Sequence, residues 1–314
     1  MSTASMLFHI GLHKTATSSL QQDFFVESNG FLQNGGRAWI LPTFVDKSAT
    51  QLLTELEGKE LRRFAEAARS QGLMPVVSHE RLSGYPLSGG YDRLSILNRI
   101  SKAKVDAKIL LVVREQRRWL YSAWKQMIND GGAIGLRAFL QPEVGRPQVR
   151  VPPSRLAYLD YGREVRLLHD MFGADNVCVL PMELLIEDFA RFKSALATVC
   201  QLDPTTMSAP ALTRRNESSA LSSLYVEYLF NRFLLRTATS PSGVANADGR
   251  LGRILRTMRD GLSRSLPEIP YHERVADRHK AKLAELVGDR YRQTNSEASE
   301  LIGVNLADYG YDTG

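Results

Sequence analysis

Short apolar runs alternate with segments of helical period through the first 185 residues, and no other feature narrows the possible folds as much. Met6–Ile10, Ala38–Leu41, Met74–Ser78, Lys108–Val113 and Val177–Leu180 read as strands bounded by glycine, proline or polar residues. Between them lie helical stretches. One runs from Ser18 to the Asn29-Gly30 stop, and one spans residues 50–70, where Leu52, Leu53, Leu56, Leu61, Phe64 and Ala68 recur before Gly72. Others cover Gln116–Ile128, closed by Asp130-Gly131-Gly132, and Tyr158–Phe172. Strands separated by helices of this length pair in parallel, because a parallel neighbour is reached only by a long crossover. The expectation is an α/β fold of three layers, with a central parallel sheet over about residues 6–185. A helical C-terminal elaboration follows over 186–314, including 187–200 and 218–236, within one domain of 1–314.

Composition removes several other classes. A hydrophobic fraction of 43% and a charged fraction of 24% are those of an ordinary globular chain, not of a disordered or fibrous one. No apolar run reaches the roughly 18 residues of a membrane span, and the polar start at Met1–Met6 does not read as an export signal. Two cysteines, Cys178 and Cys200, are too few for a disulfide framework; a reducing, cytoplasmic setting with buried thiols is expected.

The excess of 40 Lys+Arg over 34 Asp+Glu is concentrated late in the chain, with nine basic and four acidic residues over 250–282. Arg250, Arg253, Arg256 and Arg259 repeat every third position, as on one side of a helix. Either they form a solvated face or they meet an anion; no nucleic-acid-binding motif accompanies them. His169, His272 and His279 are scattered, and no His/Cys/Asp/Glu group has metal-ligand spacing, so no metal is expected.

The first strand end carries the chemistry. Gly11-Leu12-His13-Lys14-Thr15-Ala16-Thr17-Ser18 combines a turn, a cation and hydroxyl residues opening a helix, which offers backbone N–H groups and a positive charge to a phosphate-like anion. It is not the G-x-x-x-x-G-K-[ST] loop of ATP-binding proteins, since Gly11 stands three residues before Lys14 and no glycine directly precedes it. A second cationic strand end follows Ile109–Val113 at Arg114, with Ser122 eight residues on.

These segments resemble the family of sulfotransferases that use 3′-phosphoadenosine 5′-phosphosulfate (PAPS). The family's phosphosulfate loop reads G-x-x-K-T-G-T-[TS]; Gly11, Lys14, Thr15, Thr17 and Ser18 match it, and Ala16 replaces its second glycine. The resemblance implies a P-loop-like fold and a donor loop of Gly11, His13, Lys14, Thr15, Ala16, Thr17 and Ser18. It also implies that Arg114 and Ser122 hold the nucleotide's 3′-phosphate, with Arg214 or Arg215 adding late basic contacts. Asn176–Leu185 and Asp308-Tyr309-Gly310-Tyr311 are similar to the family's later strand and C-terminal tail. By the same resemblance the donor is PAPS, the product adenosine 3′,5′-bisphosphate (PAP), and no metal takes part. The loop lacks the Tyr-Pro-Lys-Ser-Gly pattern of the phenol and steroid enzymes. The likeness therefore leans to bacterial, glycan-directed members, with a glycan, lipid or small-molecule acceptor and no nucleic acid.

An attacking hydroxyl must lose a proton, so a base is expected near Lys14. Val76–Ser83 offers His79 and Glu80, of which strand alternation lets one face the site unless the strand has already ended. Glu80 is favoured because glycan-directed members of the resembled family use a glutamate; His79 remains the alternative. Loops 142–153 and 237–249 are candidates to border the acceptor. Two rival readings stand beside this one: a nucleotide kinase or other phosphotransferase, and a non-catalytic nucleotide-binding protein.

Overall fold

The computed structural model describes residues 5–34, 36–86, 90, 92–140, 156–210, 221–237, 240, 243–265 and 272–314. They group into two compact units, one of Met1–Glu115, Val149–Thr213 and Asp289–Gly314, the other of Gln116–Gln148 and Arg214–Gly288.

The first unit is built on five parallel strands, β1 (Ser5–His9), β2 (Phe31–Gln33), β3 (Met74–Ser78), β4 (Asp106–Val113) and β5 (Val177–Pro181), in the order β2-β3-β1-β4-β5. All of β3 and β5 and nearly all of β1 are buried. Coverage on both faces explains why these strands are continuous apolar runs instead of alternating ones. Leu7, Met74, Val76, Leu110, Val112, Cys178 and Leu180 meet Phe24, Phe25, Phe31, Phe192 and Leu196 in one core. On the other side Phe8 packs edge-on against Phe44, with ring centroids 5.8 Å apart. The expected three-layer α/β arrangement is therefore observed. Cys178 and Cys200 are both buried free thiols, and burial pushes Cys200 up to about 12.

Local sequence fixes several boundaries. Thr54 and Glu57 form a reciprocal capping box at the start of the Glu55–Ser70 helix. Asp160 and Asp188 accept backbone N–H bonds that open the Tyr161–Phe172 and Phe189–Cys200 helices. Arg99, fully buried on the Arg93–Ser101 helix, donates to the carbonyls of Phe44, Lys47, Ser48 and Gln51 and fixes that loop.

One strand is corrected. Residues 38–41 belong to the short helix Arg37–Ile40 and the wide turn Leu41–Val45, while the actual second strand is Phe31–Gln33. Pro42 stands in the first turn, where its missing N–H is tolerated, and burial of Ile40 and Phe44 overrides the extended bias of the residue before proline. Gly30, at φ 83°, ends the preceding turn so abruptly that β2 begins at the next residue.

The second unit contains the helices Gln116–Asn129, Leu136–Leu140, Leu221–Leu229, Arg250–Ser265 and His272–Val287, and a two-stranded pairing of β6 (Leu235–Arg236) with β7 (Ala245–Asn246). Asn231, fully buried, donates to the carbonyls of Ile128 and Gly132 and ties the helices together. Trp119 and Trp124 are buried, as core residues on the Gln116–Asn129 helix should be.

Candidate functional site

Sheet order decides where the chemistry-bearing residues meet. The chain leaves β1 toward β3 and returns on its other side to β4, so β1 lies at the point where the connections change direction. Ligands of open α/β sheets bind beyond the carboxyl ends of strands at such a point. The three adjacent strands β3, β1 and β4 end in His79-Glu80, the 10–16 turn and Arg114.

The turn stays bonded to β4 after the strand ends, through Ile10 N–H to the Leu110 carbonyl at 2.9 Å and Leu12 N–H to the Val112 carbonyl at 3.4 Å. Thr15 Oγ1 donates to the Leu12 carbonyl at 2.5 Å. Lys14 and Ala16 are both left-handed, at φ 66° and 60°. For residues bearing a Cβ this conformation costs about 1–2 kcal/mol each, so the turn holds local strain where an anion cradle is expected. Ala16 thus occupies the backbone conformation that a glycine adopts freely. The helix opens at Thr17–Ser19 and runs into the wide turn Leu20–Phe24.

Arg114 is joined to this turn directly. Its Nη1 donates to the Lys14 carbonyl at 3.1 Å, while Tyr161 Oη donates to the Arg114 carbonyl at 2.6 Å. Behind it Glu183 is buried, accepting from the Glu115 N–H at 3.3 Å and the Tyr311 hydroxyl at 3.1 Å. Burial raises the Glu183 carboxyl above its ordinary value.

Thr17 is buried, and its hydroxyl oxygen is enclosed without a hydrogen-bond partner. A buried hydroxyl left unpaired costs about 1–3 kcal/mol, which a bound acceptor group would recover. Its place in the first turn of the helix, next to Ala16, fits an anion held by the loop. Ser18 is exposed at the same helix start, and Gly11 is buried in the turn.

The base candidates are separated by their surroundings. β3 ends at Ser78, so His79 and Glu80 are not on alternating strand positions; His79 precedes the single turn Glu80–Ser83. His79 is buried, and its Nδ1 accepts the Arg81 N–H at 3.0 Å. Burial lowers the imidazole below its ordinary value, more than Glu80 raises it. The neutral ring therefore carries its proton on Nε2, and its 3.8 Å approach to Glu80 is not an ion pair. The Glu80 side chain is half-exposed at 35%. His13 is lowered to about 4, first by burial, with Glu80 opposing and Arg81, His79 and Lys14 adding to the shift. These five residues share one electrostatic neighbourhood.

Sequence reasoning missed His9. Fully buried at the end of β1, it bonds Ser78 Oγ through Nδ1 at 2.7 Å and packs on Phe25, while Nε2 has no partner. A Cβ on Gly11 would lie 2.4 Å from that Nε2, so the glycine is required by His9 beneath the turn. Arg37 and Arg81 were also missed; both lower His79. Neither belongs to a motif, and only the folded turn brings them close.

Ser122 is half-buried on the Gln116–Asn129 helix of the second unit. Arg214, Arg215 and the 142–153 loop lie outside the described residues, and the 237–249 loop lies partly outside them.

No family model matches the sequence, and no curated protein matches it. A solved sulfotransferase is similar to it. That protein, from Alicyclobacillus acidocaldarius, shares 18% identity at a TM-score of 0.46, over 71% of this chain and 93% of its own. A likeness at that level says nothing of which residues act.

Proposed function

We propose that this protein transfers a sulfuryl group from PAPS to a hydroxyl or amine of a glycan, glycolipid or specialised metabolite. The carrying observation is the enclosed, unpartnered Thr17 hydroxyl on the helix that opens beside the left-handed Lys14–Ala16 turn. A polar group buried in this way fits an anionic ligand that the folded chain is shaped to receive.

In this reading the turn of Gly11, His13, Lys14, Thr15, Ala16, Thr17 and Ser18 holds the 5′-phosphosulfate. Arg114 and Ser122 hold the 3′-phosphate, with Arg214 or Arg215 adding charge. The donor supplies an activated sulfuryl group on a good leaving group. The Lys14 ammonium then serves the leaving oxygen, and a preorganised hydrogen-bond donor of that kind lowers a barrier by roughly 2.7–4 kcal/mol. A guanidinium has five N–H groups, so Arg114 can brace the Lys14 carbonyl and still serve a phosphate. Glu80 takes the acceptor's proton, since the His79 nitrogen that could accept is already committed to the Arg81 N–H.

The test is calorimetric titration with adenosine 3′,5′-bisphosphate and with ADP, followed by radiolabelled sulfate transfer to a panel of glycan, lipid and small-molecule acceptors. Binding that prefers the bisphosphate and is lost in Lys14→Ala supports the assignment. Equal affinity for ADP, with magnesium-dependent phosphate transfer, replaces it with a phosphotransferase.

A further inference from the structure

Among the described residues, the second unit presents an apolar row that its own packing leaves exposed. On the Arg250–Ser265 helix, Leu251, Ile254, Met258 and Leu262 recur at intervals of three, four and four residues and are 57%, 52%, 54% and 46% exposed. That spacing sets them in one stripe along the helix. The helix is held to its unit by another side. Gly252 is buried so closely that a Cβ would lie 2.0 Å from the Asn246 carbonyl, and Ser263 accepts from Ser223 Oγ through its carbonyl at 2.7 Å. Tyr225, Leu229 and Phe233, four residues apart on the neighbouring Leu221–Leu229 helix and the turn after it, are exposed as well. Solitary exposed apolar residues are ordinary; a regular row of them marks an interaction surface.

Charge selects the occupant. Between residues 250 and 265 there are five arginines and a single aspartate. A three-residue interval turns by 60° less than a full circle, so Arg250, Arg253, Arg256 and Arg259 wind around the helix instead of forming one file. Arg250 and Arg253 are exposed, whereas Arg256 approaches Asp248 at 3.7 Å and Arg259 bonds Asp260 at 2.8 Å. A helix with an apolar stripe and an arginine-rich remainder matches the anionic surface of a lipid bilayer. A second copy docked through the same stripe would bring like charges together. Among the described residues no helix is long and apolar enough to cross a membrane, so the fit is to the interface, not the interior.

We propose that the Arg250–Ser265 helix lies on an anionic lipid surface, with Leu251, Ile254, Met258 and Leu262 embedded among the acyl chains and Arg250 and Arg253 reaching the headgroup phosphates. This inference stands on the second unit alone and does not depend on the chemistry proposed for the β1 turn.

The full-length protein is sedimented with phosphatidylcholine vesicles, with and without phosphatidylglycerol, at low and high salt. The expected result is association with the anionic vesicles only, released by salt. Ile254→Ser with Met258→Ser removes two embedded side chains and lowers partitioning by about tenfold or more. Arg250→Glu with Arg253→Glu lowers it by at least about tenfold. Both pairs are solvent-exposed, so circular dichroism and bisphosphate binding stay at the parent's level. Three outcomes overturn the proposal: no sedimentation with anionic vesicles, equal sedimentation of parent and variants, or a dimer in light scattering that Ile254→Ser dissolves.

Discussion

Substituting His9 by leucine removes a titration that the fold suppresses. Burial with no compensating charge holds the His9 imidazole at about 3, against 6.5 in water. Between those values the unfolded chain binds a proton that the folded chain refuses. His9 therefore contributes no penalty above pH 6.5 and an increasing one as pH falls toward about 3. At pH 4.5 the unfolded imidazole is two pH units below its midpoint and the folded one is still neutral. At about 1.36 kcal/mol per unit, the stability lost from this residue alone is about 3 kcal/mol. Leucine keeps the contact with Phe25 and cannot titrate; leaving Ser78 without its partner costs the same at either pH. Urea unfolding of parent and His9→Leu at pH 7 and pH 4.5 isolates the difference, because all other ionisations cancel. The parent loses about 3 kcal/mol more than the variant over that interval. Losses that agree within about 0.5 kcal/mol, or a His9 NMR resonance that titrates between pH 8 and pH 5, would refute the reasoning.

Gly11→Ala pushes a methyl against His9 Nε2 and should cost about 1–3 kcal/mol of unfolding free energy. In a His9→Ala background the same change should cost under about 0.5 kcal/mol, and a full penalty there would show that the turn itself, not the imidazole, demands glycine. Thr17→Val replaces an enclosed, unpartnered hydroxyl with an isosteric methyl. Thermal stability should hold or rise by up to about 1 kcal/mol, while calorimetry shows bisphosphate affinity falling about tenfold. A loss of stability without a loss of affinity would place the hydroxyl's role elsewhere.

The sheet was largely legible because β1, β3, β4 and β5 are covered on both faces and so read as mainly apolar runs without alternation. β2 was not: it has three residues, and Gln33 spends its amide on the carbonyls of Gln21 and Phe25. Ala38–Leu41 looked more strand-like but coils, because Ile40 and Phe44 bury better that way. The turn after β1 and Arg114, which the structure joins, stand out in sequence because each follows an apolar strand directly. The choice between His79 and Glu80 could not be resolved from alternation, which ceases at Ser78. His9 was hidden for a different reason. In sequence it is one polar letter inside an apolar strand, and its significance comes from Ser78 and Gly11, which only the folded strand ends bring against it.

The position of β1 between β3 and β4 also sets an order of events during synthesis. His9 is in register with Ser78 on one side and Leu110 on the other. Of these three strands β1 is made first, yet both of its neighbours are encoded far downstream. At roughly 5–20 residues per second a ribosome needs about 5–20 seconds to supply the second of them. Through that interval Met6, Leu7 and Phe8 must be sheltered by something other than the native sheet. The nascent chain is thus most open to chaperone capture, or to mispairing with another chain, at the segment that leads into the left-handed Lys14–Ala16 turn.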